Sequence, residues 1–165
     1  MISRNAKAIA PLVVAKLLET KQTLATAESC TGGLVAARIT DVPGCSSIFY
    51  GGCVTYTNEI KQKLLGVKAE TIAAYTEVSA QTAMEMAKGA RERLGTDFGV
   101  STTGFAGPGG GTPKNPAGTV YIALASADGE EAWRLELGDI GREAVRERAA
   151  AEILLKLLNT LEKRN

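Results

Sequence analysis

TLATAESCTGGLVAARIT, residues 23–40, reads as a strand, a tight turn and a helix in succession. Thr23–Glu28 is a short Thr/Leu/Ala run suited to a strand, Gly32 and Gly33 permit a sharp turn, and LVAARIT continues with helical character. Working outward, Val42-Pro43-Gly44 punctuates the chain before SSIFYGGCVTY, whose aromatic and β-branched residues predict a second strand through Tyr56. Thr57 or Asn58 then caps a short helix, NEIKQKLL, that stops at Gly66, and a second short helix is expected over Ala69–Tyr75. Ser79 caps AQTAMEMAKGARERL, with Ala83, Met86, Ala87, Ala90 and Leu94 on one face and Gly95 at its end. FGVSTT is a third strand, and TGFAGPGGGTPKNPAG after it is too rich in Gly and Pro to be regular. GTVYIALAS and EEAWRLELG, joined at Ala127-Asp128-Gly129, form a hairpin. Two long helices close the pattern. The first, over residues 2–20, carries Ile2, Ala6, Ile9, Val13 and Leu17 on one stripe, with Pro11 expected to kink or divide it. The last runs from about Gly141 to Lys163. Helices between strands, then a hairpin, predict an α/β domain with a mixed sheet.

The chain has 165 residues, one domain's worth, and 45% of them are hydrophobic, as a globular core requires. Nineteen Lys and Arg against eighteen Asp and Glu leave a formal charge of +1, which gives no electrostatic argument for nucleic acid or an anionic membrane. No apolar run approaches a membrane span, and the first helix carries charges within its pattern. The three cysteines, Cys30, Cys45 and Cys53, fall in no metal-ligand spacing and read as reduced, mostly buried thiols of a cytoplasmic protein. The most informative count is that of histidine, which is zero. Ser-His-Asp triads, Cys-His dyads and His-ligated metals are thereby excluded, so a hydrolase built on this chain needs lysine, tyrosine or a carboxylate as its base.

Three stretches can carry chemistry. In AESCTGG, Ser29 lies between a strand end and a helix start. It is either an N-cap or a nucleophile with backbone N–H groups around it as an oxyanion hole, and the TGG segment can also cradle a phosphate. In YTNEIK, Lys61 falls in the first helical turn, where the dipole and burial both depress an amine's pKa; Tyr56 can then relay a proton between Lys61 and Ser29. The plainer alternative makes Tyr56 a half-buried sheet residue and Lys61 a solvated cation. The loop over residues 103–119 is neither a Walker A sequence nor GxGxxG, but Gly109, Gly110 and Gly111 can aim successive N–H groups at an anion. Otherwise it is a mobile surface loop. Arg142 and Arg146 share a face of the last helix and run against its dipole, as a bound anion would explain; the alternative is pairing with Glu143 and Glu147 at the surface.

Taken together, AESCTGG, VTYTNEIK, TTGFAGPGGGTPKNPAGTVY and GREAVRERAA resemble the CinA C-terminal-domain family, whose characterised members are nicotinamide-nucleotide amidases. The resemblance covers almost the whole chain. It implies a three-layer α/β/α sandwich over residues 1–165 and hydrolysis of nicotinamide mononucleotide to nicotinate mononucleotide and ammonia, with neither metal nor cofactor. It maps the nucleophile onto Ser29, with Tyr56 and Lys61 as activating partners, and matches Thr103 to a position lining the site; Thr31, Gly32 and Gly33, from the reading of the TGG turn, are expected beside the substrate. The resemblance also matches Arg142 to the family's ligand-binding arginine, and the phosphate is then expected on the loop of Gly109, Gly110 and Gly111 with Arg142, aided by Arg146. The family often carries a molybdopterin-binding-like domain ahead of this one, so the resemblance is to its stand-alone form. A homo-oligomer is expected from the same source. The alternative in another class is a non-catalytic nucleotide-binding or partner-docking module of the same fold.

Overall fold

A computed structural model describes residues 4–164. One five-stranded sheet organises them, in the order β2-β1-β3-β4-β5. The strands are β1 (Leu24–Glu28), β2 (Phe49–Val54), β3 (Phe98–Gly104), β4 (Thr119–Ser126) and β5 (Gly129–Glu136). β1 pairs parallel with both β2 and β3, whereas β3, β4 and β5 run antiparallel, so the sheet is mixed as the element pattern predicts. The β4–β5 turn is two residues, Ala127 and Asp128, with Ser126 opposite Gly129. Among the described residues six α-helices and a 3-10 turn at Cys45–Ser47 complete the fold: α1 (Ala6–Thr20), α2 (Leu34–Thr40), α3 (Asn58–Leu65), α4 (Ala69–Tyr75), α5 (Ala80–Leu94) and α6 (Arg142–Lys163). α1, α2 and α6 cover one face of the sheet, and α5 covers the other with α3 and α4 packed on it. This is the three-layer sandwich. Among the described residues no helix is long and apolar enough to cross a membrane.

The two faces are filled differently, and strand alternation explains why. Leu24, Phe98, Val100, Val120, Ile122 and Leu124 point to the α1/α6 side and form one large core with Ile9, Val13, Leu17, Ile153, Leu154 and Leu157. The opposite face carries Ala25, Ala27, Ala123 and Ala125 beneath Ala83, Met86, Ala87 and Ala90 of α5. These small residues let α5 lie almost on the strands. A Cβ on Gly99 would fall 2.1 Å from the Ala87 carbonyl oxygen, and Ser101 Oγ donates to the Ala83 carbonyl at 2.6 Å. The close seat of α5 fixes the height of the segment that precedes it, residues 76–79, above the sheet's end.

Three expectations change. Pro11 lies inside α1 and does not divide it. The proline is exposed and forfeits one hydrogen bond, while the buried stripe on the other side keeps packing on α6. Ile2 lies outside the described residues. β2 ends at Val54 rather than Tyr56, because Thr55 is the last residue to bond β1, through its N–H to the Glu28 carbonyl, and the chain then turns into α3. Only Cys30 of the three free thiols is fully buried, Cys45 and Cys53 being half-exposed.

Candidate active site

The ends of β1 and β3, the start of α3 and the start of α6 meet at one edge of the sandwich, the C-terminal end of the parallel strands, where open α/β sheets leave a crevice. Ser29 follows β1 directly, and its N–H donates to the Thr102 carbonyl of β3. The turn after it is held from beneath. Glu28, 1% exposed, accepts from the N–H groups of Val35 and Ala36 at 2.9 and 3.0 Å and from Thr31 Oγ1 at 2.6 Å. The carboxylate thus caps α2, whose own N-cap, Gly33, has no side chain to do so. Arg146 braces the same turn from α6, its Nε and Nη2 donating to the carbonyls of Cys30 and Thr31 at 3.2 and 2.9 Å. With the carbonyls drawn toward Arg146, the N–H groups of Cys30 and Thr31 bond no backbone carbonyl among the described residues. Gly32, in the left-handed region at φ 60°, lets the chain make this turn.

Lys61 is among the largest fully buried side chains of the described residues. Thr57 rather than Asn58 caps α3, which places Lys61 fourth in the helix and aims it back under the chain that enters it. Its Nζ lies 2.9 Å from Ser29 Oγ, 2.7 Å from the Thr55 carbonyl oxygen and 3.4 Å from that of Tyr56. Burial lowers its pKa from 10.5 to about 8, while the charge of Glu77 pulls in the opposite direction. At pH 7 roughly one molecule in ten carries the neutral amine. That form has two N–H groups, matching two carbonyls, and a lone pair left for the Ser29 hydroxyl proton. A serine placed so is able to lose its proton as its oxygen attacks.

The neighbouring thiol is a poor rival. Burial, opposed mainly by its own backbone N–H, pushes Cys30 up to about 12.

Ser29 opens into a cavity of about 220 Å³ lined also by Tyr56, Glu77, Thr103, Phe105, Gly109 and Arg142. Arg142 spans its rim, donating through Nη1 to the Gly107 carbonyl at 3.0 Å and through Nη2 to the Tyr56 hydroxyl at 2.9 Å. A wider groove of about 610 Å³ shares Arg142 but faces α1 and α2, and Arg38 there is paired with Asp41 and Glu147. The glycine loop is tied down rather than mobile. Asn115 is buried, donating to the Val78 carbonyl at 3.1 Å and accepting from Arg134 at 2.8 Å, and Gly111 bridges to Pro116.

Ser29, Tyr56, Thr103, Gly109 and Arg142 therefore meet around one space, with Lys61 touching Ser29 from outside that lining, and several expected roles shift. Tyr56 contributes its backbone carbonyl to Lys61, but its ring is 57% exposed and its hydroxyl is bonded to Arg142, so it does not link Lys61 to Ser29. The two reach each other directly, because β2 has ended and residues 55 and 56 peel away from the sheet. Thr31 turns inward to Glu28 and Thr102, its side chain wholly buried. Arg146 is committed to backbone carbonyls. Gly110 and Gly111 lie beyond the cavity lining, as do Gly32 and Gly33. Thr103 lines the cavity but spends its hydroxyl on the Glu77 carbonyl at 2.7 Å. Glu28 and Glu77 were not singled out by spacing. Glu28 caps from five residues ahead of Gly33, a distance that no local capping pattern covers, and Glu77 reaches the site through the packing of α5 and bonds from Thr103 and Asn115.

Comparison with known proteins bears on the family and the fold. Residues 6–161 match the family model described as the CinA C-terminal domain. A CinA-like protein of Chlorobaculum tepidum is 56% identical over 125 residues, covering 76% of this chain and 30% of that protein. One from Synechocystis is 49% identical over 156 residues, covering 93% and 38%. The chain thus spans about a third of the length of these curated relatives. Among solved structures, the competence/damage inducible protein CihA from Agrobacterium tumefaciens superposes with a TM-score of 0.91 at 38% identity, covering 95% of both chains. A CinA superfamily protein from Klebsiella pneumoniae gives 0.92 at 33% identity, covering 96% and 99%.

Proposed function

Given that the chain belongs to the CinA C-terminal-domain family, we propose that it is an amidohydrolase that converts nicotinamide mononucleotide to nicotinate mononucleotide and ammonia through an acyl-serine. The observation that carries this reading is the 2.9 Å contact between Ser29 Oγ and a buried amine whose pKa is depressed toward neutrality. Neutral Lys61 takes the Ser29 proton as Oγ attacks the carboxamide carbon. The N–H groups of Cys30 and Thr31 receive the oxyanion, since they flank the nucleophile and bond no backbone carbonyl among the described residues. Lys61 then gives the proton to the departing nitrogen, ammonia leaves, and water cleaves the ester by the same exchange. Arg142, at the rim beside Gly109, is placed for the phosphate, and Tyr56 orients Arg142 rather than carrying the proton. Arg146, Thr31 and Glu28 act by fixing the turn that holds Ser29.

The test is ammonia release from nicotinamide mononucleotide by the purified chain without added metal. Turnover that disappears in Ser29→Ala, together with a mass increase on Ser29 in acid-quenched wild-type protein, supports the reading. Tight binding without turnover would favour a non-catalytic nucleotide-binding module instead.

A further inference from the structure

Glu77, whose charge favours the Lys61 ammonium, takes no part in the bond-making steps above. It lines the Ser29 cavity, half-buried, and its carboxylate has no hydrogen-bond or ion-pair partner among the described residues. The other charged residue of that lining is Arg142, whose guanidinium is bonded to the Gly107 carbonyl and the Tyr56 hydroxyl. The short connection between α4 and α5 that presents Glu77 is held against its own preference. Thr76 sits at φ 70°, ψ 173°, a region that side-chain-bearing residues avoid. Four hydrogen bonds hold the segment there: Ser79 Oγ and Thr82 Oγ1 donate to the Thr76 carbonyl at 3.0 and 2.7 Å, Thr103 Oγ1 to that of Glu77 at 2.7 Å and Asn115 Nδ2 to that of Val78 at 3.1 Å. Every carbonyl from 76 to 78 is thereby spent inward on β3, α5 or the glycine loop, and the Glu77 side chain is left on the cavity side.

Resting on the reaction read above, we propose that Glu77 is a specificity-determining residue that selects a carboxamide borne on a ring with a fixed positive charge. The pyridinium ring of nicotinamide mononucleotide carries that charge close to the scissile amide. Without a counterion it would approach an ammonium at Lys61 and a guanidinium at Arg142, both of its own sign. An unpaired carboxylate in the same small cavity answers this directly. The phosphate at the rim is read by Arg142, and the ring by Glu77. The dihydropyridine form of the same nucleotide keeps the phosphate, ribose and carboxamide but has a neutral ring, so the site discriminates against it.

Calorimetric binding to Ser29→Ala protein separates this from turnover, with nicotinamide mononucleotide and its reduced, neutral-ring form as the paired probes at one pH. The oxidised form is expected to bind roughly tenfold more tightly, as a partly desolvated charge pair would give. Glu77→Gln and Glu77→Ala, each added to Ser29→Ala, are expected to erase that preference by weakening the oxidised form alone, and Glu77→Asp to keep most of it. Unfolding midpoints unchanged from the parent identify the effect as one on the site. Equal binding of the two forms by the parent, binding of neither, or a preference that survives both neutral substitutions overturns the proposal. Wild-type protein that prefers the charged ring yet releases no ammonia leaves the assignment of Glu77 standing and refutes the amidase reading.

Discussion

Replacing Lys61 by Met should remove catalysis and make the protein more stable at neutral pH. The amine is 1% exposed and its pKa is held at about 8 instead of 10.5, which corresponds to about 3 kcal/mol against the charged form. Methionine has a similar length and no charge to desolvate, but it leaves the Thr55 carbonyl and the Ser29 hydroxyl without their donor, at a cost of about 1–2 kcal/mol. The net expectation is a gain of about 1–2 kcal/mol at pH 7, or several degrees in the midpoint for a domain of this size. The pH dependence supplies a sharper sign. Between about 8 and 10.5 the unfolded chain holds the lysine proton while the folded protein has released it, so wild-type stability rises with pH across that window. The contribution grows by about 2 kcal/mol from pH 7 to 9.5, and the advantage of Lys61→Met over wild type shrinks by the same amount. Urea unfolding of both proteins at the two pH values measures this difference, and groups common to both cancel. A variant less stable than wild type at pH 7, with a gap that does not change on raising the pH, would refute the reasoning that places a strained, partly neutral amine beside Ser29.

Other expectations follow from single contacts. Tyr56→Phe removes the hydroxyl that positions Arg142 but leaves the backbone carbonyl facing Lys61, so KM for the nucleotide should rise severalfold with kcat nearly unchanged; a collapse of kcat would restore the phenol to the proton path. Gly99→Ala drives a methyl group to 2.1 Å from the Ala87 carbonyl oxygen and should cost more than about 2 kcal/mol in urea unfolding, because α5 has no room to retreat without lifting residues 76–79. A stable Gly99→Ala protein would show that the α5 layer is looser than its alanine face implies.

The fold was legible because each local signal agreed with the next. Ser79 before an alanine-rich stripe, Gly66 and Gly95 as helix stops, and the Ala127-Asp128 turn all act within a few residues, which is the range that periodicity and capping rules cover. Pro11 does not divide α1, because helix-breaking is a local rule and the packing of α1 on α6 overrides it. The site was less legible for the same reason. Ser29 and Lys61 could be proposed from their places at a strand end and in a first helical turn, but their contact spans 32 residues of sequence. That contact depends on β2 ending at Val54, which the Val-Thr-Tyr run disguises by continuing to look like a strand. The direct amine–hydroxyl contact that replaced the expected tyrosine relay, and the inward turn of Thr31 and Arg146, follow from how the buried Glu28 and α6 hold one tight turn. No spacing rule reports that.

The central claim is that a lysine amine, poised near neutrality by burial, draws the proton from Ser29. The pH dependence of kcat/KM for ammonia release from nicotinamide mononucleotide reads the free protein's essential base most directly. The account predicts a tenfold rise per pH unit on the acid side that levels off near pH 8, the value that burial gives Lys61. A profile that is flat through this range, or one that keeps climbing toward an ordinary lysine's pKa, would contradict it.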